Sequence, residues 1–382
     1  MKIYLDNNAT TRMAPEVLDA MLPFLSEKYG NPSSFHSFGS DLMEDIEKAR
    51  GRVAELIGAD AEEVFFTSGG TESDNTALIG AMEINPLKPG LVTCTIEHPA
   101  VLEFAKHMAG RGYPVSFAEV SGKGLLDLES LRNSIDEKTG LVSIMTANNE
   151  TGVIMPVKEA SDIAHEAGAL FHTDAVQATG KIPLDVKAMG IDLLSLSAHK
   201  FHGPKGVGAL YIRKGVEISP FLRGGHQEKG MRASTYNVPG IAGLGKAAEL
   251  AGGFVIEESL QTRSLLEKLE KGILEECPGA VIGGADAERL PNTSTVLFRG
   301  VESEAVITLL DLEGICVSSG SACSSEDETS SYVLAAMGVD PIDANTAVRF
   351  SLSRYTTGRE IDLLLEILPP VVEKLRKISP YA

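Results

Sequence analysis

A lysine that could bond covalently to a cofactor lies at position 200 of this 382-residue chain, within the segment SAHKFHGPKG, residues 197–206. The segment directly follows a very apolar run that is typical of a buried strand. Partial desolvation at a strand end lowers the pKa of a lysine amine and makes it nucleophilic, as a Schiff base to an aldehyde cofactor requires. Ser197 and His199 could reach a phosphate group from the same turn. A solvated basic loop would have a similar composition, so Lys200 alone does not settle the chemistry.

A glycine pair followed by hydroxyl residues, TSGGTES at residues 67–73, comes at the end of another predicted strand. Glycine lets the backbone approach an anion closely, and a helix start offers unpaired N–H groups and the positive end of a dipole. The segment therefore predicts a phosphate-binding turn at Gly70 and Thr71. An ordinary Ser/Thr helix cap would have the same residues.

An aspartate and a glutamine follow a third predicted strand in the segment HTDAVQ, residues 172–177. Asp174 could pair with a protonated pyridine nitrogen, which keeps a pyridine-ring cofactor an electron sink. Gln177 could donate a hydrogen bond to the phenolic oxygen of such a ring. An aspartate at a strand end can equally cap a helix.

Strands and helices alternate from about residue 63 onward. Short β-rich runs predict strands at residues 64–67, 91–96, 141–146, 169–174, 192–197 and 207–212, and helices are predicted at 71–82 and 99–110. This alternation predicts βαβ units and a mostly parallel sheet with helices on both faces. Ligands of such sheets bind beyond the carboxyl ends of the strands, which is where all three segments lie.

The pattern changes after about residue 251. A charged helix near residues 265–273 has one apolar face, and short strands are predicted at 294–298 and 347–352. The last helix contains two consecutive prolines at 369–370, which should break or kink it. We expect a large domain over residues 15–252 and a smaller α+β domain formed by residues 1–14 and 253–382.

Composition and charge exclude several classes of function. The formal net charge of −19, from 34 basic and 53 acidic residues, repels nucleic acid and anionic membranes. We find neither an apolar run of about 18 residues nor a signal-peptide pattern, so we expect a cytoplasmic protein. The cysteines form no C-x-x-C pair, which argues against a zinc site. Three of them, Cys94, Cys277 and Cys316, are expected to be buried apolar residues.

Two further segments, YLDNNATT at residues 4–11 and SSGSAC at residues 318–323, complete a set of motifs whose order and spacing match a known family. The chain resembles the cysteine desulfurases of the NifS/IscS type over residues 1–380. These enzymes belong to the class V aminotransferase group of fold-type I pyridoxal-phosphate enzymes. The resemblance implies an α/β fold, with a mostly parallel seven-stranded sheet in the large domain, and pyridoxal 5'-phosphate as cofactor.

The resemblance also assigns roles to individual residues. It implies that Lys200 holds the cofactor covalently, that Asp174 pairs with the pyridine nitrogen, and that His98 stacks on the ring and transfers protons. Gln177 and Asn149 match residues around the ring oxygen and the substrate. The implied phosphate cradle consists of Gly70, Thr71, Ser197 and His199.

Substrate binding and sulfur transfer are implied for residues of the second half. Arg349 resembles the arginine that clamps the substrate carboxylate, for which its planar fork is suited, and Arg354 is a nearby competitor. Cys323 resembles the cysteine whose thiolate accepts sulfur as a persulfide. Thr235 resembles a residue that reaches the phosphate of the other subunit, which implies an obligate homodimer. Ser234 stands where glycine is usual, which weakens support for the Thr235 contact.

The resulting hypothesis is a cysteine desulfurase that converts L-cysteine to L-alanine and leaves the sulfur on Cys323. An iron–sulfur scaffold protein is the expected acceptor by analogy with the family. A selenocysteine lyase or another class V aminotransferase is the nearest alternative. A non-catalytic protein on the same fold is a more distant one, because fold alone does not establish activity.

Overall fold

The computed structural model describes residues 2–320 and 330–379. The strands are β1 (Ile3–Tyr4), β2 (Val64–Thr67), β3 (Gly90–Cys94), β4 (Val115–Ala118), β5 (Thr139–Ser143), β6 (Leu170–Asp174), β7 (Leu193–Ser197), β8 (Gly208–Ile212), β9 (Ala280–Gly283), β10 (Thr293–Phe298), β11 (Ile315–Cys316), β12 (Ser318–Ser319) and β13 (Ala347–Ser351). The helices are α1 (Pro15–Ser26), α2 (Ser37–Ser40), α3 (Leu42–Ile57), α4 (Gly70–Ile84), α5 (Pro99–Gly110), α6 (Leu128–Ser134), α7 (Val157–Glu166), α8 (Val238–Glu276), α9 (Ser303–Leu312), α10 (Tyr332–Ala336), α11 (Pro341–Ala344) and α12 (Gly358–Arg376).

A seven-stranded sheet occupies the centre of the larger part of the molecule, in the order β2-β8-β7-β6-β5-β3-β4. Strand β8 runs antiparallel to both neighbours, and the other pairs are parallel. Strands β3, β7 and β8 are buried along their whole length, as apolar runs with both faces covered should be. The predicted mostly parallel, seven-stranded α/β architecture is confirmed.

A second apolar core lies beside this sheet and contains residues of β10, β13, α9 and α12. The long helix α8 joins the two cores, because Ala251 packs in the first and Leu266 in the second. The chain therefore passes residue 252 inside a helix. The proposed domain limits stay a prediction.

Helix α12 continues through Pro369 and Pro370, so the predicted break does not occur. Proline removes an N–H and crowds the preceding turn. Here the buried face of the helix, which includes Leu364, Leu368 and Val372, packs in the second core and stabilises the helix on both sides of the proline pair.

Small sheets bring the second half of the chain to the carboxyl ends of the large sheet. The antiparallel order β12-β13-β10-β9 places Ser318 opposite Arg349, and β1 pairs in parallel with β11. Asp6 bridges to Ser351 at the end of β13. Within residues 2–320 and 330–379, no helix is long and apolar enough to cross a membrane.

Candidate active site

The neighbouring strands β6 and β7 end at Asp174 and Ser197, and Lys200 follows β7 in a single 3-10 turn, Ala198–Lys200. Lys200 Nζ donates to the carbonyl oxygens of Asn8 at 2.5 Å and Ala9 at 2.9 Å. The amine is thus held by the N-terminal segment of the chain. This arrangement fixes its position at the strand ends.

Asp174 and His98 lie close enough to Lys200 for their charges to interact. Asp174 is buried and accepts from the Val176 N–H at 2.8 Å; burial raises its pKa, and the charges of His98 and Lys200 oppose the rise. His98 caps α5, with Nδ1 accepting from the Ala100 N–H at 3.1 Å, so the neutral ring carries its proton on Nε2. Burial also lowers the pKa of His98, which favours that neutral ring.

Two more carboxyl groups lie in the core near Asp174. Asp74 on α4 and Glu97 before α5 are both buried, and burial raises the pKa of each well above its ordinary value, with the charge of Asp174 adding to the rise. Asp74 Oδ1 and Glu97 Oε2 have no hydrogen-bond partner within the part of the chain that the structure describes. Such a group of acids favours a cationic ligand atom beside Asp174, such as a protonated ring nitrogen.

The turn between β2 and α4 has the geometry of an anion cradle. Gly69 has φ 154°, which favours glycine, and helix α4 begins at the next residue. A Cβ at Gly70 would lie 2.7 Å from Val176 Cγ2, so any side chain at this position would force Val176 to move. Ser197 Oγ lies 3.8 Å from the place of a Cβ on Gly69, and Thr71 is exposed in the first turn of the helix. The helix N-terminus and these hydroxyls together suit a phosphate group.

Two other predicted cofactor residues make contacts with the N-terminal segment. His199 Nδ1 lies 3.2 Å from Thr10 Oγ1, and burial is the main cause that lowers the pKa of His199 to about 4. Gln177 Nε2 donates to the Asn8 carbonyl at 3.0 Å, and its Oε1 accepts from Lys181 Nζ at 2.8 Å. No motif pointed to Lys181, whose pKa is lowered by burial well below its ordinary value. Its position four residues after Gln177 is the signal that could have found it.

Arg349, on β13, and Asn149, in the segment after β5, lie together although they come from opposite halves of the chain. Arg349 Nη1 donates to the Asn149 carbonyl at 3.0 Å, and Nη2 pairs with Asp6 at 2.8 Å. Arg349 Nε and Asn149 Oδ1 are buried and have no hydrogen-bond partner among the described residues. A guanidinium with a spare buried N–H suits a substrate carboxylate. Arg354 instead pairs with Glu258 at 3.0 Å.

Thr235 is exposed, in a segment that is fixed to the phosphate turn. Arg232 pairs with Glu72 at 2.8 Å, and Glu72 also accepts from the Ser68 N–H at 2.9 Å. Ser234 adopts φ 100°, a left-handed conformation that favours glycine. The usual glycine would therefore be less strained at position 234.

The predicted sulfur acceptor, Cys323, lies outside the described residues. Cys94 and Cys277 are buried, as predicted. Cys316 is only half-buried, so that prediction was wrong. Among the described strands, its strand β11 pairs with the two-residue β1 alone and leaves the thiol near Asp311, with Sγ 3.8 Å from Oδ1. Burial raises the pKa of the Cys316 thiol, and Asp311 adds to the rise.

Comparison with known proteins gives a consistent result. Residues 3–364 match the model of the family described as aminotransferase class-V. The chain is 53% identical to a cysteine desulfurase of Cereibacter sphaeroides, over 100% of this chain and 98% of that protein. It is 49% identical to the cysteine desulfurase NifS of Azotobacter vinelandii, over 99% of this chain and 94% of that protein.

Solved structures show the same relationship. A NifS-like protein superimposes with a TM-score of 0.92 at 42% identity, covering 98% of this chain and 100% of that one. The structure described as SspA in complex with cysteine superimposes with a TM-score of 0.82 at 34% identity, covering 94% and 100%. The site geometry, the fold and these full-length similarities lead to one conclusion: the chain belongs to the class V aminotransferase family, among its NifS-type cysteine desulfurases.

Proposed function

We propose that this chain is a pyridoxal-phosphate-dependent cysteine desulfurase, which converts L-cysteine to L-alanine and takes the sulfur onto Cys323 as a persulfide. The observation that carries the proposal is the group formed by Lys200, Asp174 and His98 at the ends of neighbouring elements of the large sheet. An amine, a buried acid and a neutral imidazole that interact electrostatically form a site for proton transfer next to an electrophilic cofactor.

The residues of this chain fit the cofactor that the family uses. Lys200 would bind it covalently, Asp174 would face its ring nitrogen, and the turn at Gly70 with Ser197 would hold its phosphate. When bound, pyridoxal phosphate supplies an electron sink that stabilises negative charge on the α-carbon of an amino acid. Asp174 contributes by keeping a proton on the ring nitrogen, since a buried carboxylate stabilises a cation beside it.

Side chains around the substrate would bind it, transfer its protons and accept its sulfur. Arg349 binds the carboxylate of L-cysteine, and Asn149, whose carbonyl it already contacts, helps to orient it. The Lys200 amine would serve as the base for the α-proton, and the N–H at His98 Nε2 would serve as a proton donor. The Cys323 thiolate then attacks the substrate sulfur: a sulfur–sulfur bond forms, the carbon–sulfur bond breaks, and its electron pair stays with the carbon skeleton, which leaves as alanine after proton uptake.

Mass analysis of the protein after incubation with L-cysteine tests this function. We expect one extra sulfur on Cys323 and an equal amount of alanine in the first turnover. Cys323→Ser should abolish both, whereas Cys316→Ser, a half-buried cysteine elsewhere, should keep both. Full alanine production by Cys323→Ser would contradict the desulfurase assignment and favour another class V activity.

Removal of the amine tests the cofactor assignment separately. Purified wild-type protein should be yellow, and borohydride should fix the cofactor on Lys200. Lys200→Ala should lose the covalent link and turnover, whereas Lys205→Ala, an exposed lysine five residues later, should keep both. A Lys200→Ala protein that still turned over would refute the role of that amine.

We also propose a cytoplasmic homodimer in which Thr235 reaches the phosphate of the other subunit. One face of α1 exposes Leu18, Leu22 and Leu25, and an apolar stripe of this kind supports a subunit contact. Light scattering should give twice the mass of one chain, and Leu22→Glu should lower that mass.

An iron–sulfur scaffold protein is the proposed acceptor of the sulfur. Transfer of labelled sulfur from Cys323 to such a protein tests that step.

A further inference from the structure

Residues on both sides of the undescribed segment 321–329 are fixed in the structure. On one side, β12 pairs with β13, so Ser318 lies opposite Arg349, and Gly320 follows. On the other side, Ser331 caps α10 by accepting from the Leu334 N–H at 3.1 Å. Both sides lie against the same buried side chain, that of Glu150.

Glu150 is 1% exposed and contacts both ends. Its Oε2 accepts from Ser331 Oγ at 2.5 Å. The space that a Cβ on Gly320 would need is taken by the same carboxyl group, whose Oε2 and Cδ are the nearest atoms. Because Gly320 has an ordinary φ, a side chain at this position would be opposed by the carboxyl group of Glu150, which would have to move, and not by the backbone conformation.

Glu150 is also tied to the substrate side of the pocket. It follows Asn149, whose carbonyl accepts from Arg349, and its own N–H donates to Asn148 Oδ1 at 2.9 Å. The Glu150 carbonyl accepts from Thr295 Oγ1 at 2.8 Å. These hydrogen bonds fix the backbone of Glu150, and they thereby fix the position from which its side chain contacts Gly320 and Ser331.

A second contact joins the same end of the segment to the cofactor side. Tyr332 Oη donates to the carbonyl of Glu97 at 2.7 Å, and Glu97 directly precedes His98. Residues 331 and 332 thus contact both walls of the pocket through side chains. A buried carboxyl group is an unfavourable choice for packing alone, because an apolar residue of the same size would not need desolvation.

We infer that Glu150 is a positioning residue for sulfur transfer: by contacting Gly320 and Ser331 it fixes both ends of the segment that carries Cys323 relative to Arg349 and His98. The inference rests on the proposed function in one respect, that Cys323 receives the sulfur. It assigns Glu150 no contact with the substrate or cofactor.

The rate of persulfide formation on Cys323, measured by rapid quench at saturating L-cysteine, tests this inference. Glu150→Ala should lower that rate by about 30-fold to 100-fold, since small misplacements of a reacting group have effects of this size. The change in cofactor absorbance on adding L-cysteine should keep its half-saturation within about threefold, because Arg349 retains its contacts. Glu150→Gln, which keeps an acceptor for Ser331, should recover most of the rate, and Ser331→Ala should lower it in the same way.

A double-mutant cycle separates positioning from general damage to the fold. Gly320→Ala should slow persulfide formation about tenfold when Glu150 is present, and much less in the Glu150→Ala background, where the space is open. Gly51→Ala, at a helical glycine with no neighbouring atom within 4 Å, is the control and should have no effect.

The inference is overturned by an unchanged persulfide rate in both Glu150→Ala and Ser331→Ala, or by additive effects of Gly320→Ala and Glu150→Ala. Equal losses in cysteine binding and in persulfide formation would also overturn it, because they indicate general damage. If wild-type protein forms no persulfide on Cys323, it is the proposed function that fails.

Discussion

Two buried carboxyl groups of this protein, those of Glu228 and Asp174, have similar exposure and opposite surroundings. Glu228 is paired at both oxygens with the Arg50 guanidinium, at 2.7 and 2.8 Å, and also accepts from the Phe66 N–H at 2.8 Å. Asp174 accepts from one backbone N–H and has Asp74 nearby, whose charge would oppose its own. Glu228 is neutralised by a hydrogen-bonded pair with Arg50, whereas Asp174 only lies near the charges of Lys200 and His98.

The difference separates a structural acid from a functional one. The Arg50 pair holds the segment that leads to Thr235 and keeps Glu228 in a left-handed conformation at φ 47°. Asp174 retains a desolvation penalty that a positively charged ligand group would offset. Four variants test this contrast, in order of decreasing expected effect.

Glu228→Ala should destabilise the protein most, by about 3–5 kcal/mol, because it leaves Arg50 buried without its partner. Urea unfolding followed by circular dichroism measures the change. Glu47→Ala is the matched control, since Glu47 also pairs with Arg50 but its side chain is 53% exposed, and it should cost less than about 1 kcal/mol. Similar effects of the two variants would remove the distinction drawn for Glu228.

Asp174→Asn should lower kcat/KM for L-cysteine by about 100-fold or more, because the loss of a preorganised charge in an active site has effects of this size. The cofactor-free protein should keep or gain stability. The isosteric amide cannot stabilise a cation, and it removes a buried acid. Steady-state alanine release and urea unfolding are the two measurements. A variant that lost stability but kept turnover would contradict the functional assignment of Asp174.

His172 should make stability depend on acid pH. Its ring is bonded to Ser143 and Ser195, with Asp74 at 3.7 Å, and burial lowers its pKa to about 3. The unfolded chain, with an ordinary pKa of about 6.5, binds the proton first, so stability is lost as the pH falls from about 6.5 towards 3.

The comparison of wild type with His172→Gln isolates this contribution. The difference in unfolding free energy between the two proteins should shrink by about 3 kcal/mol between pH 6.5 and pH 4. His36→Gln, at an exposed histidine, should show no such change. A constant difference for His172→Gln across this range would contradict a neutral buried ring.

Asp74→Asn should have the smallest effect, within about 1 kcal/mol, because burial raises the pKa of Asp74 and an amide resembles a protonated carboxyl in shape. The pH titration of the bound cofactor's absorbance should shift slightly, since one group near Asp174 can no longer ionise. A loss of more than about 3 kcal/mol would mean that Asp74 is charged and paired, as Glu228 is.

Much of the fold followed from local patterns. Strand β2 at residues 64–67 and helix α5 at 99–110 have the predicted bounds, and β6 and β7 differ by one residue at their starts. Apolar runs between polar turns determine such elements with little help from the rest of the chain. The predicted break at the proline pair of α12 does not occur, and Cys316 is more exposed than predicted, because packing and strand pairing with distant residues decide both features.

The sequence by itself determined the types of reactive groups and their places at strand ends: an amine at 200, an acid at 174 and a glycine turn at 70. Only the tertiary structure decided their partners, such as the Asn8 and Ala9 carbonyls on Lys200, and Glu150 between Gly320 and Ser331. The physical reason is the sequence separation over which each kind of interaction acts. Hydrophobic periodicity acts over a few residues, whereas these hydrogen bonds and close contacts join positions more than a hundred residues apart, which only packing brings together.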